Sequence, residues 1–187
     1  MRKLIAFTQV SADGYFVDAA GDMSWAHRQD PELQEFAASN ASSGGTLVFG
    51  RVTYEMMAGY WPSPMARQQQ PDVAAGMTAA DKVVFSRTLD SAGWANTRVL
   101  SGPLAAEVRK LKAGEGKALA ILGSGSIVAQ LAGENLIDEY QLMVNPVVLG
   151  AGRSPFAGAR RLDLKLAKSR TFKNGNVLLC YEPAAAR

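Results

Sequence analysis

One cysteine and one histidine are all that 187 residues contain. The lone thiol, Cys180, rules out an intrachain disulfide framework and suits a reducing compartment. The same scarcity excludes zinc sites built from several thiolates or imidazoles, so no metal site is expected. A Ser-His-Asp triad would have to use His27, which follows Trp25 in an expected loop without any nucleophile elbow nearby. A surface role explains that histidine more simply. Cys180 lies in the apolar run Val177 to Tyr181, as a packed strand residue would, whereas a catalytic thiol needs a basic partner and partial exposure. Long apolar runs are missing as well: none approaches the ~18 residues of a membrane span. The apolar start after Arg2 and Lys3 is interrupted by Thr8, Gln9, Ser11 and Asp13, too early for a secretory core. These absences point to a cytoplasmic protein with no membrane partner. Basic residues outnumber acidic ones by only 20 to 17, a net charge of +3. They are scattered, and Arg109, Lys110 and Lys112 at helical spacing read as a solvated helix face. A nucleic-acid footprint would be concentrated, so no nucleic acid is expected as partner.

What is present is an ordinary globular composition, 48% hydrophobic and 20% charged, in a length that fits one domain over 1–187. Lys3 to Val10 is a short apolar run ending in the turn cluster Ser11-Ala12-Asp13-Gly14, which predicts a buried strand and a loop. Asp30-Pro31-Glu32 has the cap, proline and acid of a helix start. Thr46 to Phe49 predicts a second strand, followed at Gly50-Arg51 by a helix. Trp61 to Ala80, with three prolines and three consecutive glutamines, reads as a long surface loop with one helical turn. Strands are predicted at Lys82 to Ser86, Arg98 to Leu100 and Ala118 to Leu122, with helices after Pro103 and after Ser126. The end is strand-rich: Glu139 to Val148, Leu162 to Ala167, and Val177 to Tyr181 beyond the Asn174-Gly175 turn. Alternating strands and helices followed by a β-rich tail predict an α/β layered fold, its sheet mostly parallel with antiparallel strands at the C-terminal end.

Chemistry in such a chain has to come from carboxylates, hydroxyls and a bound cofactor. Two strand-turn-helix junctions have the composition of phosphate sites. At one, Gly50 is followed by Arg51 and Thr53. At the other, Gly123, Ser124, Gly125 and Ser126 follow Ala120-Ile121-Leu122. A helix amino end offers free N–H groups and partial positive charge, and glycine allows close approach. Each junction alone is also what plain turn geometry produces; two in one small domain would hold both ends of a pyrophosphate. A Rossmann fingerprint does not fit. Its third glycine position is Val128, and no acidic residue lies some 20 positions on at the end of the next strand.

Ser11-x-Asp13-Gly14, the Asp22 to Trp25 loop, Val48-Phe49-Gly50-Arg51-x-Thr53-Tyr54-Glu55, Val83-Val84-Phe85-Ser86-Arg87, Ile121 to Ser126 and Pro146-x-x-Leu149-Gly150-x-Gly152 occur in order along the chain. In these segments the sequence resembles the dihydrofolate-reductase-like superfamily, in the branch of the riboflavin-pathway reductase domain. The resemblance implies the three-layer fold of that superfamily and NADPH across the carboxyl ends of the parallel strands. It assigns Arg51 and Thr53 to one phosphate region, Gly123 to Ser126 to the pyrophosphate, and Ser86 and Arg87 to the adenosine 2′-phosphate. It implies a small-molecule substrate between the first strand, the Trp25 loop and the next helix. In the dihydrofolate reductases proper a carboxylate five residues past the loop tryptophan binds the pterin ring, and that offset falls on Asp30. A helix cap explains Asp30 equally well. Asp13, in the Ser-x-Asp-Gly of the riboflavin branch, is the second candidate, with a turn-forming role as its alternative. Reduction of a ribosyl-aminouracil is the implied activity, with dihydrofolate reduction or nucleotide binding without turnover as alternatives. Branch members commonly dimerise through the late strands, and a homodimer is expected. The zinc deaminase signature of the bifunctional riboflavin enzyme does not occur in this sequence.

Overall fold

The computed structural model describes residues 1–28 and 30–184; Gln29 and residues 185–187 of the expected domain lie outside it. Strand β1 (Leu4–Ser11) sets the pattern, with Leu4, Ala6, Thr8 and Val10 buried on one face. Ile5, Phe7 and Gln9 alternate to the other face. Along the chain follow β2 (Val17–Asp18), a single 3-10 turn, α1 (Pro31–Ala41), β3 (Thr46–Gly50), α2 (Arg51–Tyr60), α3 (Pro64–Gln69), α4 (Pro71–Ala79), β4 (Lys82–Phe85) and β5 (Thr97–Leu100). Then come α5 (Leu104–Ala113), β6 (Leu119–Leu122), α6 (Gly125–Gly133), β7 (Glu139–Asn145), β8 (Gly152–Arg153), β9 (Leu164–Thr171) and β10 (Val177–Pro183).

Eight strands form one sheet in the order β5-β4-β3-β6-β1-β7-β10-β9. The first six are parallel, and β10 and β9 are added antiparallel. On one face Val108, Ile127, Val128 and Leu131 of α5 and α6 close over Leu4, Ala6, Val48 and Ile121. On the other, α2 and α4 bury Tyr54, Val73 and Met77 against Phe49 and Val84. Farther along that face α1 packs Leu33 and Phe36 beside Met143, Leu178 and Cys180. This is the α/β three-layer arrangement the sequence implies, with a mostly parallel sheet and antiparallel strands at its C-terminal end.

Trp61 to Ala80 is not a long loop, and it is not all surface. Ser63 caps α3, its hydroxyl accepting from Ala66 N at 3.2 Å, and Pro64 and Pro71 occupy the first turns of α3 and α4. Proline there lacks only an N–H that would go unpaired anyway. Ala66, Val73, Ala74 and Met77 are core residues. The basic cluster also divides: Arg109 and Lys110 are exposed, but Lys112 is buried, donating to Leu136 O at 2.7 Å and Asp138 Oδ2 at 2.6 Å. At the end of the chain β7 stops at Asn145, short of Val148, and β9 starts later and runs further than Leu162 to Ala167.

Lys82, the first residue of β4, is only 1% exposed. Its ammonium donates to Thr78 O and Ala80 O and lies 4.5 Å from the Trp94 ring centroid. Burial pushes its pKa down from 10.5 to about 8, partly offset by Asp81. Between those values the unfolded chain binds more protons than the folded one, so stability rises with pH across that window and is lowest below it. Urea unfolding at stepped pH should show a gain of up to about 3 kcal/mol from this group. Lys82→Met should remove the rise.

Candidate functional site at the carboxyl edge of the sheet

Parallel strands bring their carboxyl ends to one edge, and the helices that return from them begin there. β3 and β6 are neighbours, with Leu47 opposite Ala120 and Val48 opposite Ile121. The amino ends of α2 and α6 therefore lie side by side. One side chain ties them. Ser124 Oγ accepts from Gly50 N at 2.8 Å and donates to Thr53 Oγ1 at 2.9 Å. Glycine at position 50 suits this contact, because a Cβ there would stand 3.2 Å from Ser124 Oγ and 3.3 Å from Ile127 Cδ1 and push both side chains back by a few tenths of an ångström. Gly123 and Ser124 are both left-handed, at φ +63° and +61°. For Ser124 that conformation costs about 1–2 kcal/mol, and such strain concentrates at ligand sites. Ile127 N and Val128 N both bond to Ser124 O. The N–H groups of Gly125 and Ser126 have no acceptor inside the helix and, with those opening α2, give this edge a positive character.

Gly125 serves a neighbour that the sequence did not reveal. A Cβ on it would meet the Phe16 ring at 2.8 Å, so glycine here admits an aromatic side chain. The Arg153 guanidinium lies 5.6 Å from the centroid of that ring. The β2–β8 ribbon, pairing Val17 with Arg153, holds the two together, and Phe16 N donates to Arg153 O at 2.9 Å.

The other expected residues divide. Thr53 is part of the Ser124 bridge. Arg51 is exposed on α2 and pairs with Glu55 at 2.9 Å, a surface pair worth about 0.3–0.5 kcal/mol and easily given up to a stronger anion. At the end of β4, Ser86 Oγ accepts from Thr88 N and Leu89 N, closing a turn that leaves Arg87 exposed. Asp30 is 7% exposed and caps α1, its Oδ1 accepting from Leu33 N at 2.8 Å. No partner among the described residues reaches its Oδ2. Asp13 is exposed and accepts from Leu149 N at 3.2 Å and Gly150 N at 2.8 Å, clasping the loop after β7 to the end of β1. The nearby Ser11 hydroxyl and these N–H groups hold its carboxyl below the usual aspartate range. His27 is exposed at the end of the 3-10 turn, and Cys180 is buried with its thiol pKa pushed up by burial.

A second polar feature of this edge went unread. Asn145 at the end of β7 and Asn176 just before β10, both fully buried, bond side chain to side chain, and Asn145 also reaches Gln9 on β1. The available signal was an asparagine interrupting the apolar run of β7 just before Pro146.

A model of the RibD C-terminal domain family matches residues 2–178. The chain is 29% identical over 185 residues to the uncharacterized protein YyaP of Bacillus subtilis (strain 168), covering 96% of this chain and 94% of that one. It is similar in fold to a Shewanella sp. PV-4 protein named for riboflavin biosynthesis, at TM-score 0.75 and 22% identity over 97% of this chain and 99% of that one. It also resembles a Thermotoga maritima deaminase and 5-amino-6-(5-phosphoribosylamino)uracil reductase, at TM-score 0.70 and 14% identity over 98% of this chain and 57% of that one.

Proposed function

Because the chain belongs to the RibD C-terminal domain family, we propose that it is an NADPH-dependent reductase acting on a small nitrogen heterocycle or its ribosyl derivative, of the aminouracil reductase type. The observation that carries this reading is the pair of helix amino ends joined through Ser124, Gly50 and Thr53. A dinucleotide diphosphate needs N–H donors and hydroxyls converging from two sides, and helix amino ends supply them. Gly123 to Ser126 and Thr53 would hold the diphosphate with Arg51, and Ser86 and Arg87 the 2′-phosphate. NADPH supplies a hydride when bound. Asp30 orients the ring by accepting from a ring N–H.

The test is loss of NADPH absorbance with a panel of ribosyl-aminouracils, pyrimidines and pterins, dihydrofolate included. Turnover of any of them supports the reductase. Tight NADPH binding with turnover of none would favour nucleotide binding without catalysis, a reading that draws on both Asp13 oxygens being engaged by backbone N–H groups.

The same proposal takes the protein as a homodimer. On the face away from α1, Leu142 stands opposite Leu179, Val144 opposite Val177, and Leu166 opposite Tyr181. Leu142, Val144, Val177 and Leu179 are half-buried and Leu166 is exposed, a contiguous apolar patch. A two-fold axis is the commonest way to cover such a surface. Light scattering should give twice the 19.9 kDa of one chain. A mass of one chain would exclude the dimer.

A further inference from the structure

The row of amides running from Gln9 on β1 through Asn145 on β7 to Asn176, just before β10, has its orientation set by backbone groups. Asn145 Nδ2 lies 3.2 Å from Val10 O and 3.1 Å from Met143 O. Carbonyls only accept, so this end of Asn145 has to be the nitrogen. The same nitrogen donates to Gln9 at 2.9 Å, which requires Gln9 to present Oε1 to it. Asn145 Oδ1 is left to accept from Asn176 Nδ2 at 3.0 Å. The result for Gln9 is that Nε2, with two N–H donors, is turned away from β7. No partner among the described residues takes it, and Gln9 is half-buried at the carboxyl edge.

This arrangement is kept although it is costly. Asn176 Oδ1 and Asn174 Nδ2 are buried without partners, and buried polar atoms left unpaired destabilise the fold. Apolar side chains at Asn145 and Asn176 would avoid that cost, but they would leave Gln9 free to rotate and present either end. Gln9 shares its sheet face with Phe7, which packs on Phe36 of α1 at 6.4 Å between ring centroids. It lies one alternation nearer the carboxyl edge, where α1 begins at Asp30.

We infer that Gln9 selects the heterocycle by donating from Nε2 to a ring carbonyl, with Asn145 and Asn176 as positioning residues that lock its amide in that sense. Donation from Gln9 and acceptance by Asp30 together match the C=O and N–H edge of a pyrimidinedione. The assignment rests on the reductase reading for where the ring binds. It does not depend on turnover.

The experiment is calorimetric titration with a diaminouracil, and with the tetraaminopyrimidine that carries amino groups in place of its two carbonyls. Both are run without and with NADPH. The wild type should prefer the diaminouracil by about tenfold or more, the worth of one buried hydrogen bond matched or mismatched. Gln9→Glu still accepts from Asn145 Nδ2 but turns an acceptor outward, and should reverse the preference. Gln9→Met should shrink it to the part Asp30 contributes by accepting from the ring N–H, which the tetraaminopyrimidine lacks, and so should Asn145→Leu, which leaves the amide of Gln9 unlocked. Retention of the wild-type preference in Gln9→Glu or Gln9→Met overturns the inference. Equal or no binding of the two rings by the wild type overturns it as well. A separate NADPH titration bears on the reductase reading alone: if NADPH fails to bind while the ring preference reverses as expected, that reading falls and Gln9 keeps its role.

Discussion

Asp30→Asn should lower kcat/KM by about a hundredfold, the low end of what a positioned acid–base group contributes, with stability and NADPH affinity unchanged. The substitution separates the proposed substrate contact from the helix cap. As the cap of α1, Asp30 uses Oδ1 to accept from Leu33 N. Asparagine caps a helix as well as aspartate does, so the fold should melt at the same temperature. Asparagine cannot offer a second acceptor oxygen or a negative charge to a ring N–H, so the substrate contact alone is altered. Asp30→Ala removes both roles and should also cost about 1 kcal/mol of stability. Asp13→Asn is the companion variant. Its carboxylate is spent on Leu149 N and Gly150 N, so activity should persist. Full activity in Asp30→Asn together with its loss in Asp13→Asn would move the role to Asp13, and with it the comparison from the folate enzymes to the riboflavin branch.

The frame of the fold was legible because it is local. Strand runs such as Leu47-Val48-Phe49 and Ala120-Ile121-Leu122 are apolar and bounded by glycine, and parallel pairing follows once helices lie between them. The segment from Trp61 to Ala80 was misread because its prolines count as breakers along the sequence. In the fold Pro64 and Pro71 begin helices, which only the capping by Ser63 and the burial of Val73 and Met77 make evident. At the site, both glycine-containing junctions were visible as composition. That Ser124 joins them could not be read, since 74 residues separate it from Gly50. The β2–β8 ribbon, with two residues per strand, is too short to leave a periodic signal, so Phe16 and Arg153 went unnoticed. Lys112 looked like one of three solvated bases, because its partners Leu136 and Asp138 come from beyond the next helix. Asp30 is the case where sequence and structure leave the same two readings standing, since Oδ1 caps α1 and Oδ2 has no partner among the described residues.

Cofactor choice is the remaining large effect: NADPH should bind at least about tenfold tighter than NADH, the value of one charge-assisted hydrogen bond. Ser86 and Arg87 follow directly on β4, which neighbours β3 at the edge where α2 and α6 begin. Ser86 accepts from Thr88 N and Leu89 N, fixing the turn, and its hydroxyl lies 3.5 Å from Thr88 Oγ1. Arg87 is exposed there, with no salt bridge among the described residues. Guanidinium is planar, always charged and matched to phosphate, and a 2′-hydroxyl offers it far less. Arg87→Ala should therefore weaken NADPH by about tenfold and leave NADH as it was, a difference that general damage to the fold would not produce. Arg51→Ala should weaken both cofactors alike, since the proposal puts it at the diphosphate they share. The preference should also shrink as salt is added, because dissolved ions weaken an exposed ion pair and compete for its charges. Calorimetry with both cofactors at two salt concentrations measures all of this. Equal affinities in the wild type would remove Arg87 from the cofactor site.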